Sequence, residues 1–459
     1  MLINPILKEI ALLFNSAMKE ICLVGGAVRG LLMGMKIHDL DLATDATPEE
    51  VTKIFKEAKQ KTSVIPTGLK HGTVTVIYKK QSIEITTYRT DGDYSDGRRP
   101  DKVSYSSSIE EDLSRRDFTM NAIALRLPKG EKIDPFNGEN DLKKGIIRCV
   151  GDPVLRFGED GLRPLRAVRF AAQLGFKVEK ETLSAIPGAL ENCAKVSAER
   201  IRDEIEKIIL SKKPSIAFLL MEQTGLLGLF LPELAAGRGV DQNDYHEFDV
   251  LDHNLLACDW AAEKEFPVDV RLAALLHDIG KVPTRKPIPN DESNYTFYNH
   301  EIESKYITRN ILSRLRFPNH VIEMVCHLVK EHMFHYTDDW SDAAVRRFIV
   351  RIGEANVTKF YQLRKADAYA KAGTEPPRDS LLPLACRVDK ALAENHAFSL
   401  KDLAVKGSDL ISIGIKPGKT MGIILRELLE SVLDDPEMNN KDELLKLAGK
   451  FNEVTFDQG

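Results

Sequence analysis

Apolar positions change their period near residue 150 of this 459-residue chain. Before that point short alternating runs dominate, and after it apolar residues recur at helical spacing. MLINPILKEIALLFNSAMKEICLV reads as an amphipathic helix leading into a strand that ends at Leu23–Val24. A helix is expected over 27–34 and a strand over 38–43. Thr47-Pro48-Glu49-Glu50 reads as a helix start, with Thr as cap and Pro in the first turn. The runs 73–78 and 82–88 alternate and read as a hairpin. Residues 90–100, TDGDYSDGRRP, read as a polar, mobile loop. Beyond 150 strand signals nearly vanish, and 160–174 and 198–210 are strongly helical. Pro and Gly punctuation around Pro214, Gly225–Gly228 and 232–239 marks a boundary near 235. The expected organisation is α+β: a head over 1–150 with a mixed sheet, a helical neck over 151–235, a helical histidine-rich region over 236–395 and a helical tail over 396–459.

Composition changes this picture little. Hydrophobic residues make up 43% and charged residues 29%, the balance of a soluble globular chain. No apolar run approaches the ~18 residues of a membrane span, so no membrane partner is expected. The N-terminus lacks the basic start and unbroken apolar core of a signal peptide. Six scattered cysteines without a C-x-x-C fit a reducing cytoplasm. The net charge of −5 hides an asymmetry, +4 over residues 1–213 and −9 over the rest. The first half is therefore the better place for a polyanion.

The candidate chemistry starts at Leu23, in LVGGAVRGLLMGMKIHDLDLAT. Gly25 and Gly26 between strand and helix offer backbone N–H groups to phosphate oxygens, and Arg29 adds a charge-assisted contact. Asp39 and Asp41 flank one apolar residue. On a strand they point to one face, roughly 6–7 Å apart at Cα, which suits a pair of Mg²⁺ ions. The ordinary alternative is a salt-bridged sheet edge. Glu84, in Ile83-Glu84-Ile85, is a third carboxylate or merely a solvated strand face. In RRDFTMN, Arg115 and Arg116 can grip phosphates, while Asp117 and Asn121, four apart, are expected on one helix face near a ribose hydroxyl. Asp160, Arg163, Arg166 and Arg169 recur every three residues and are expected as one helical stripe able to imitate a base edge. Three arginines with one nearby acid neutralise poorly, which argues against a plain salt-bridged face.

These motifs together resemble the class II tRNA nucleotidyltransferases, the CCA-adding enzyme family, which also contains bacterial poly(A) polymerases. The match is dense from Leu23 to about Leu210. It comprises GGxVR…DxD, HGTVTV…IEITTYR, DGDYSDGRRP, RRDFTMNA, DPFNGENDLKKGIIR and EDxLRxxRAVRFA. The resemblance implies a polymerase β-like head and template-independent addition of CMP and AMP, from CTP and ATP, to the tRNA 3′ end. It implies Mg²⁺ on Asp39 and Asp41, the triphosphate on Gly26, Arg29 and Arg116, and the ribose on Asp117. Asp160 and Arg163 would present a protein template to the incoming base, with Arg166 and Arg169 holding phosphates or orienting it. The 91–100 loop would help switch from C to A addition. Three positions depart from the family pattern. Gly30 stands where an Asp is common and Met35 where an Arg is common. Gly161 replaces a frequent proline, a change expected to be mild.

A second constellation lies in 250–281. His253, then His277-Asp278 after LAALL, and Asp367 in RKADAYA give an H…HD…D set, with His300 and His332 as further candidates. Such donors suit a divalent transition metal such as Ni²⁺ or Mn²⁺ and can activate water for phosphoester hydrolysis. The stretch resembles the HD phosphohydrolase superfamily. His246 and His335 read as structural or RNA-facing. In the tail, 407–422 (GSDLISIGIKPGKTMG) is either a helix–helix turn or an RNA phosphate contact.

A poly(A) polymerase is the nearest rival, and LATDATPEE after Asp41 lacks that branch's arginine-rich insertion. An A-adding specialist stays open at this stage, and a metal-dependent phosphohydrolase with an RNA-binding head is the reading from another class.

Overall fold

The computed structural model describes residues 5–37, 39–58, 62–68, 72–91, 103–242, 247–289, 291–377, 381–394 and 397–456. His246 and nearly all of the 91–100 loop lie outside these residues. The chain divides into two compact units. One comprises Met1–Ala236 with Ile311–Phe317, the other Gly237–Asn310 with Pro318–Gly459.

The first unit begins with α1 (Pro5–Ser16), β1 (Ile21–Val24), α2 (Gly25–Leu32), β2 (Leu40–Thr44), α3 (Pro48–Glu57), β3 (Thr62–Gly68), β4 (Thr73–Tyr78) and β5 (Gln81–Thr87). A short antiparallel pair, β6 (Arg89–Asp91) and β7 (Val103–Tyr105), precedes α4 (Ile109–Ser114), β8 (Ala124–Arg126), β9 (Glu131–Ile133) and α5 (Gly138–Lys144). Seven strands form one sheet in the order β3-β4-β5-β2-β1-β8-β9. Among the described residues of this sheet, β2 and β5 alone run parallel. The expected α+β head with a mixed sheet is thus observed.

Strand periodicity decides what each face of this sheet does. Leu40, Leu42, Val74, Val76, Ile83 and Ile85 point to one face and are buried. There α1 and α3 cover them through an edge-to-face ladder, Phe14 on Phe55 at 6.0 Å and Phe55 on Tyr78 at 6.1 Å. The intervening residues point the other way. Asp41 pairs in register with Glu84, and Glu84 with Thr75, so one polar row crosses three strands. The Thr47 capping box forms as its sequence implies: Glu50 N–H donates to Thr47 Oγ1 at 3.3 Å, and Thr47 N–H donates to Glu50 at 2.8 Å.

The neck contains α6 (Pro153–Glu159) and α7 (Arg163–Leu174), then helices Ala198–Ile209 and Ser215–Thr224. The second unit carries helices Val250–Glu263, Val268–Leu276, Asn319–Glu331, Asp342–Ile352 and Val357–Ala370. One expectation fails here. The histidine-rich region is not all helical, because Lys286–Ile288 and Asp291–Thr296 pair as an antiparallel hairpin. Its polar run KPIPNDESNYT shows no apolar alternation, so periodicity could not reveal it. In the tail, helices Gly407–Ser412, Lys419–Asp434 and Lys441–Phe456 pack around Leu410, Ile424, Leu428 and Leu444.

Candidate active site

Three features build the head site. Gly25 opens α2 with φ +66°, and a Cβ there would lie 2.9 Å from Arg116 Nη1 and 3.6 Å from Asp41 Oδ2. Only glycine brings the backbone this close to both side chains. The preceding Val24 makes no side-chain cap, so the first N–H groups of α2 are left for another acceptor. The helix therefore starts at Gly25, two residues earlier than expected.

Asp41 sits on β2, and Asp39 lies just before the strand rather than in it. Both line a cleft of about 440 Å³ together with Gly26 and Arg29. Glu84 stands beside Asp41 in the sheet. Burial raises the Asp41 carboxyl, Arg116 opposes this, and Asp39 adds to the rise. Burial likewise raises Glu84, with Asp41 and Asp39 adding to it. Acids gathered this way repel one another and suit a divalent cation.

Behind them a hydrogen-bonded chain fixes the arginines. Arg29 donates to Asn121 Oδ1, and Asn121 Nδ2 donates to Asp117 at 2.9 Å. Arg166 donates to the other Asp117 oxygen from Nε at 2.8 Å and approaches it at 2.6 Å from Nη2. The Phe118 N–H completes the set at 2.8 Å. Asp117 is buried. Burial alone would raise its carboxyl, but Arg166 and Asn121 hold it well below the usual carboxylate range.

Three expectations are corrected by this geometry. Asp117 and Asn121 do not share a helix, because Thr119–Asn121 is a single 3₁₀ turn. Asp117 accepts on both oxygens within the chain, Oδ1 from Asn121 and the Phe118 N–H and Oδ2 from Arg166. Asp160 does not join the arginine stripe. It ends α6 in an extended conformation, where it accepts from Leu162 N–H at 3.0 Å and Arg200 Nη2 at 2.7 Å. The arginines are not poorly neutralised either. Arg163 binds Glu159 and the carbonyls of Arg156 and Arg115, both at 2.8 Å. Arg169 lies 2.5 Å from Glu204 and stacks over Phe170 at 3.6 Å. Glu204 is 35 residues downstream of Arg169, beyond any local charge count.

The three departures now have a physical setting. A Cβ on Gly30 would face Met35 Cβ at 4.0 Å, so the missing acid and the missing arginine are spatial neighbours, and Asn121 orients Arg29. Gly161 is not a mild replacement. Its Cβ would lie 2.3 Å from the Asn192 carbonyl oxygen, a segment pinned by Asn192 Nδ2 donating to the Phe157 and Gly158 carbonyls. Gly161→Pro is expected to destabilise the protein by about 3 kcal/mol, read as a lowered midpoint in denaturant unfolding. An unchanged midpoint would show that the Asn192 segment yields.

The second unit holds a different centre. His253 Nε2 lies 3.1 Å from His277 Nε2, and each is within 3.4–3.7 Å of Asp278 Oδ2 and Asp367 Oδ1. His300 and His332 place Nε2 at 3.2 and 3.5 Å from the other oxygen of Asp278. All six side chains are buried. Every imidazole bonds a carbonyl through Nδ1: Ala370 at 3.1 Å, Ala274 at 2.9 Å, Phe297 at 2.8 Å and Val329 at 2.7 Å. A carbonyl accepts only from N–H, so Nδ1 carries a proton in each ring and Nε2 is the atom turned toward the neighbouring donors. Asp278 Oδ1 and His300 Nε2 have no hydrogen-bond partner among the described residues. Burial lowers His253 and His332 and favours their neutral rings; it would lower His277 too, but Asp278 and Asp367 raise it. Burial would raise Asp278, but His277 and Lys281 hold it ionised. Imidazole nitrogens and carboxylates converging in this way are a metal donor set.

Sequence reasoning missed several participants. Lys36, Gln173, Leu210 and Lys212 line the head cleft. Lys281, 2.6 Å from Asp278 Oδ2, and Lys371, Tyr295 and Tyr298 line a cleft of about 560 Å³ beside the histidine centre. Lys281 alone carried a signal, standing three residues after Asp278 in HDIGK.

Comparison with known proteins agrees with this arrangement. Family models described as "Poly A polymerase head domain", "Probable RNA and SrmB- binding site of polymerase A" and "HD domain" match residues 21–148, 175–237 and 250–390. A CCA-adding enzyme of Ligilactobacillus salivarius is 34% identical over 455 residues, covering 98% of this chain and 96% of that one. This chain belongs to the CCA-adding enzyme family. A CCA-adding enzyme of Leuconostoc mesenteroides is 32% identical over 94% of the chain and 92% of its own length. That of Lactobacillus johnsonii is 49% identical over 222 residues, and there the chain spans about half of its relative, 53%. The crystal structure of the Bacillus stearothermophilus CCA-adding enzyme in complex with CTP superposes with a TM-score of 0.71 at 28% identity, covering all of both chains. Among the described residues no helix is long and apolar enough to cross a membrane.

Proposed function

We propose that this chain extends the 3′ end of tRNA with CMP and AMP, taken from CTP and ATP, with no nucleic-acid template. One observation carries the reading: Asp39 and Asp41 share a cleft with Gly26 and Arg29, at the open N-terminus of α2. The α2 amides, Arg29 and Arg116 hold the triphosphate. Asp39, Asp41 and Glu84 hold divalent cations, for which Mg²⁺ is the natural choice. Bound there, such ions neutralise charge on the transferring phosphoryl group. The RNA 3′ oxygen bonds to the α-phosphorus as the α–β bridge breaks and pyrophosphate leaves.

Base choice falls to Asp160 and Arg163, an acceptor held by Arg200 of the neck and a donor held by the carbonyls of Arg156 in the neck and Arg115 in the head. The test is addition to tRNA lacking its terminal CCA, with each of the four NTPs offered singly. Wild-type protein is expected to add C from CTP alone, and A after it when CTP and ATP are supplied together. Arg163→Ala is expected to narrow the preference for CTP over UTP by about tenfold or more, with a melting curve checking the fold. Addition of A alone would support the A-adding alternative.

A second reading rests on the buried histidine centre. His253, His277, Asp278 and Asp367 hold one divalent transition metal, Ni²⁺ or Mn²⁺ being suitable. His300 and His332 share Asp278 with it, a spacing that accommodates a second ion. The centre supports metal-dependent hydrolysis of phosphoesters at RNA ends.

A further inference from the structure

The cleft of Asp39 and Asp41 has a second wall that the triphosphate contacts leave unused. It comes from the neck: Leu174 ends α7, and Leu210 and Lys212 follow helix Ala198–Ile209. Leu210 is 54% exposed. Lys212 is also exposed and pairs with no acid among the described residues. Arg29 and Arg116 differ from it. The first is tied to Asn121 and lies 4.8 Å over Phe170, and the second binds Asp112 at 3.3 Å.

Nucleotide addition brings two polyanions into one cleft. The triphosphate meets the α2 amides, Arg29 and Arg116. The RNA terminus meets none of these, although its last phosphodiester carries a full charge beside three carboxylates. A free cation on the opposite wall answers that need. The exposed Leu210 and the half-buried Leu174 answer another. The terminus differs after each addition, so its base must rest on something indifferent to sequence. Every base has an apolar face, and an aliphatic surface accepts any of them.

Building on the function proposed above, we propose that Leu174, Leu210 and Lys212 seat the 3′-terminal nucleotide of the RNA. Lys212 Nζ contacts its 5′ phosphate, and the two leucines support its base. Lys212 is thus a positioning residue for the primer rather than for the nucleotide.

The full-length protein with tRNA lacking CCA and labelled CTP tests this, varying each substrate in turn. Lys212→Gln is expected to raise KM for tRNA by about tenfold and leave KM for CTP unchanged. It should also flatten the dependence of log KM for tRNA on log salt by about 0.7. Lys212→Arg should restore both. Leu210→Ser should raise KM for tRNA without changing the salt slope. A rise in KM for CTP instead would assign Lys212 to the triphosphate and overturn the proposal, as would no change in either constant. Wild-type protein that adds no nucleotide would refute the proposed function itself, so the two failures are separable.

Discussion

Asp41→Asn is expected to cut nucleotide addition by roughly a thousandfold or more, while the protein stays folded and retains tRNA. The two halves of this expectation have separate causes. Asp41 stands at the contact of β2, the Gly25 turn and Arg116, beside Glu84 in the sheet. An amide there keeps the shape and loses the charge that grips a cation. Stability moves the other way. Burial, with Asp39 adding, lifts the folded Asp41 carboxyl above its unfolded value. Folding of the metal-free protein is therefore unpenalised at acid pH and is penalised once pH rises past the unfolded value. At pH 7 without divalent metal, Asp41→Asn should melt no lower than wild type. Retained addition would remove Asp41 from the metal set. A sharply lowered melting temperature would show that its carboxylate serves the fold instead. Such a gain in stability with a loss of activity is expected where a site gathers like charges for a ligand.

Much of this site was legible because its signals are local. A single residue, Leu40, separates Asp39 from Asp41, and a Gly-Gly turn announces a backbone brought close to something. The Thr47 capping box and the hairpin of β4 and β5 follow from neighbouring residues in the same way. What escaped depends on distant partners. Nothing near Arg166 or Arg169 reveals that Asp117 and Glu204 neutralise them, so their stripe read as free charge. Asp160 looked helical because its spacing from Arg163 matches a helix, yet Asp160 closes one helix and Arg163 opens the next. Gly161 shows the same limit. Its cost is set by the Asn192 carbonyl, thirty-one residues away and 2.3 Å from the missing Cβ. The four histidine tautomers are likewise fixed by carbonyls that no residue pattern identifies.

The histidine centre yields the other large expected effect. Asp278→Asn should reduce divalent metal content from at least one equivalent to near zero after dialysis, an affinity loss of more than about a hundredfold. Any phosphoester hydrolysis should vanish with it. Asp278 is the one side chain that belongs to both donor groups, offering Oδ2 to His253 and His277 and Oδ1 to His300 and His332. Its replacement also leaves Lys281, 6% exposed, with only Gln242 as partner at 2.6 Å. The asparagine variant limits that cost by keeping the volume and one acceptor. Nucleotide addition provides the contrast, since Asp39, Asp41 and Glu84 belong to the other compact unit. Addition at the wild-type rate, with metal and hydrolysis lost, would establish two independent chemistries in one chain. Metal retained at full stoichiometry in Asp278→Asn would mean that the converging donors do not hold it.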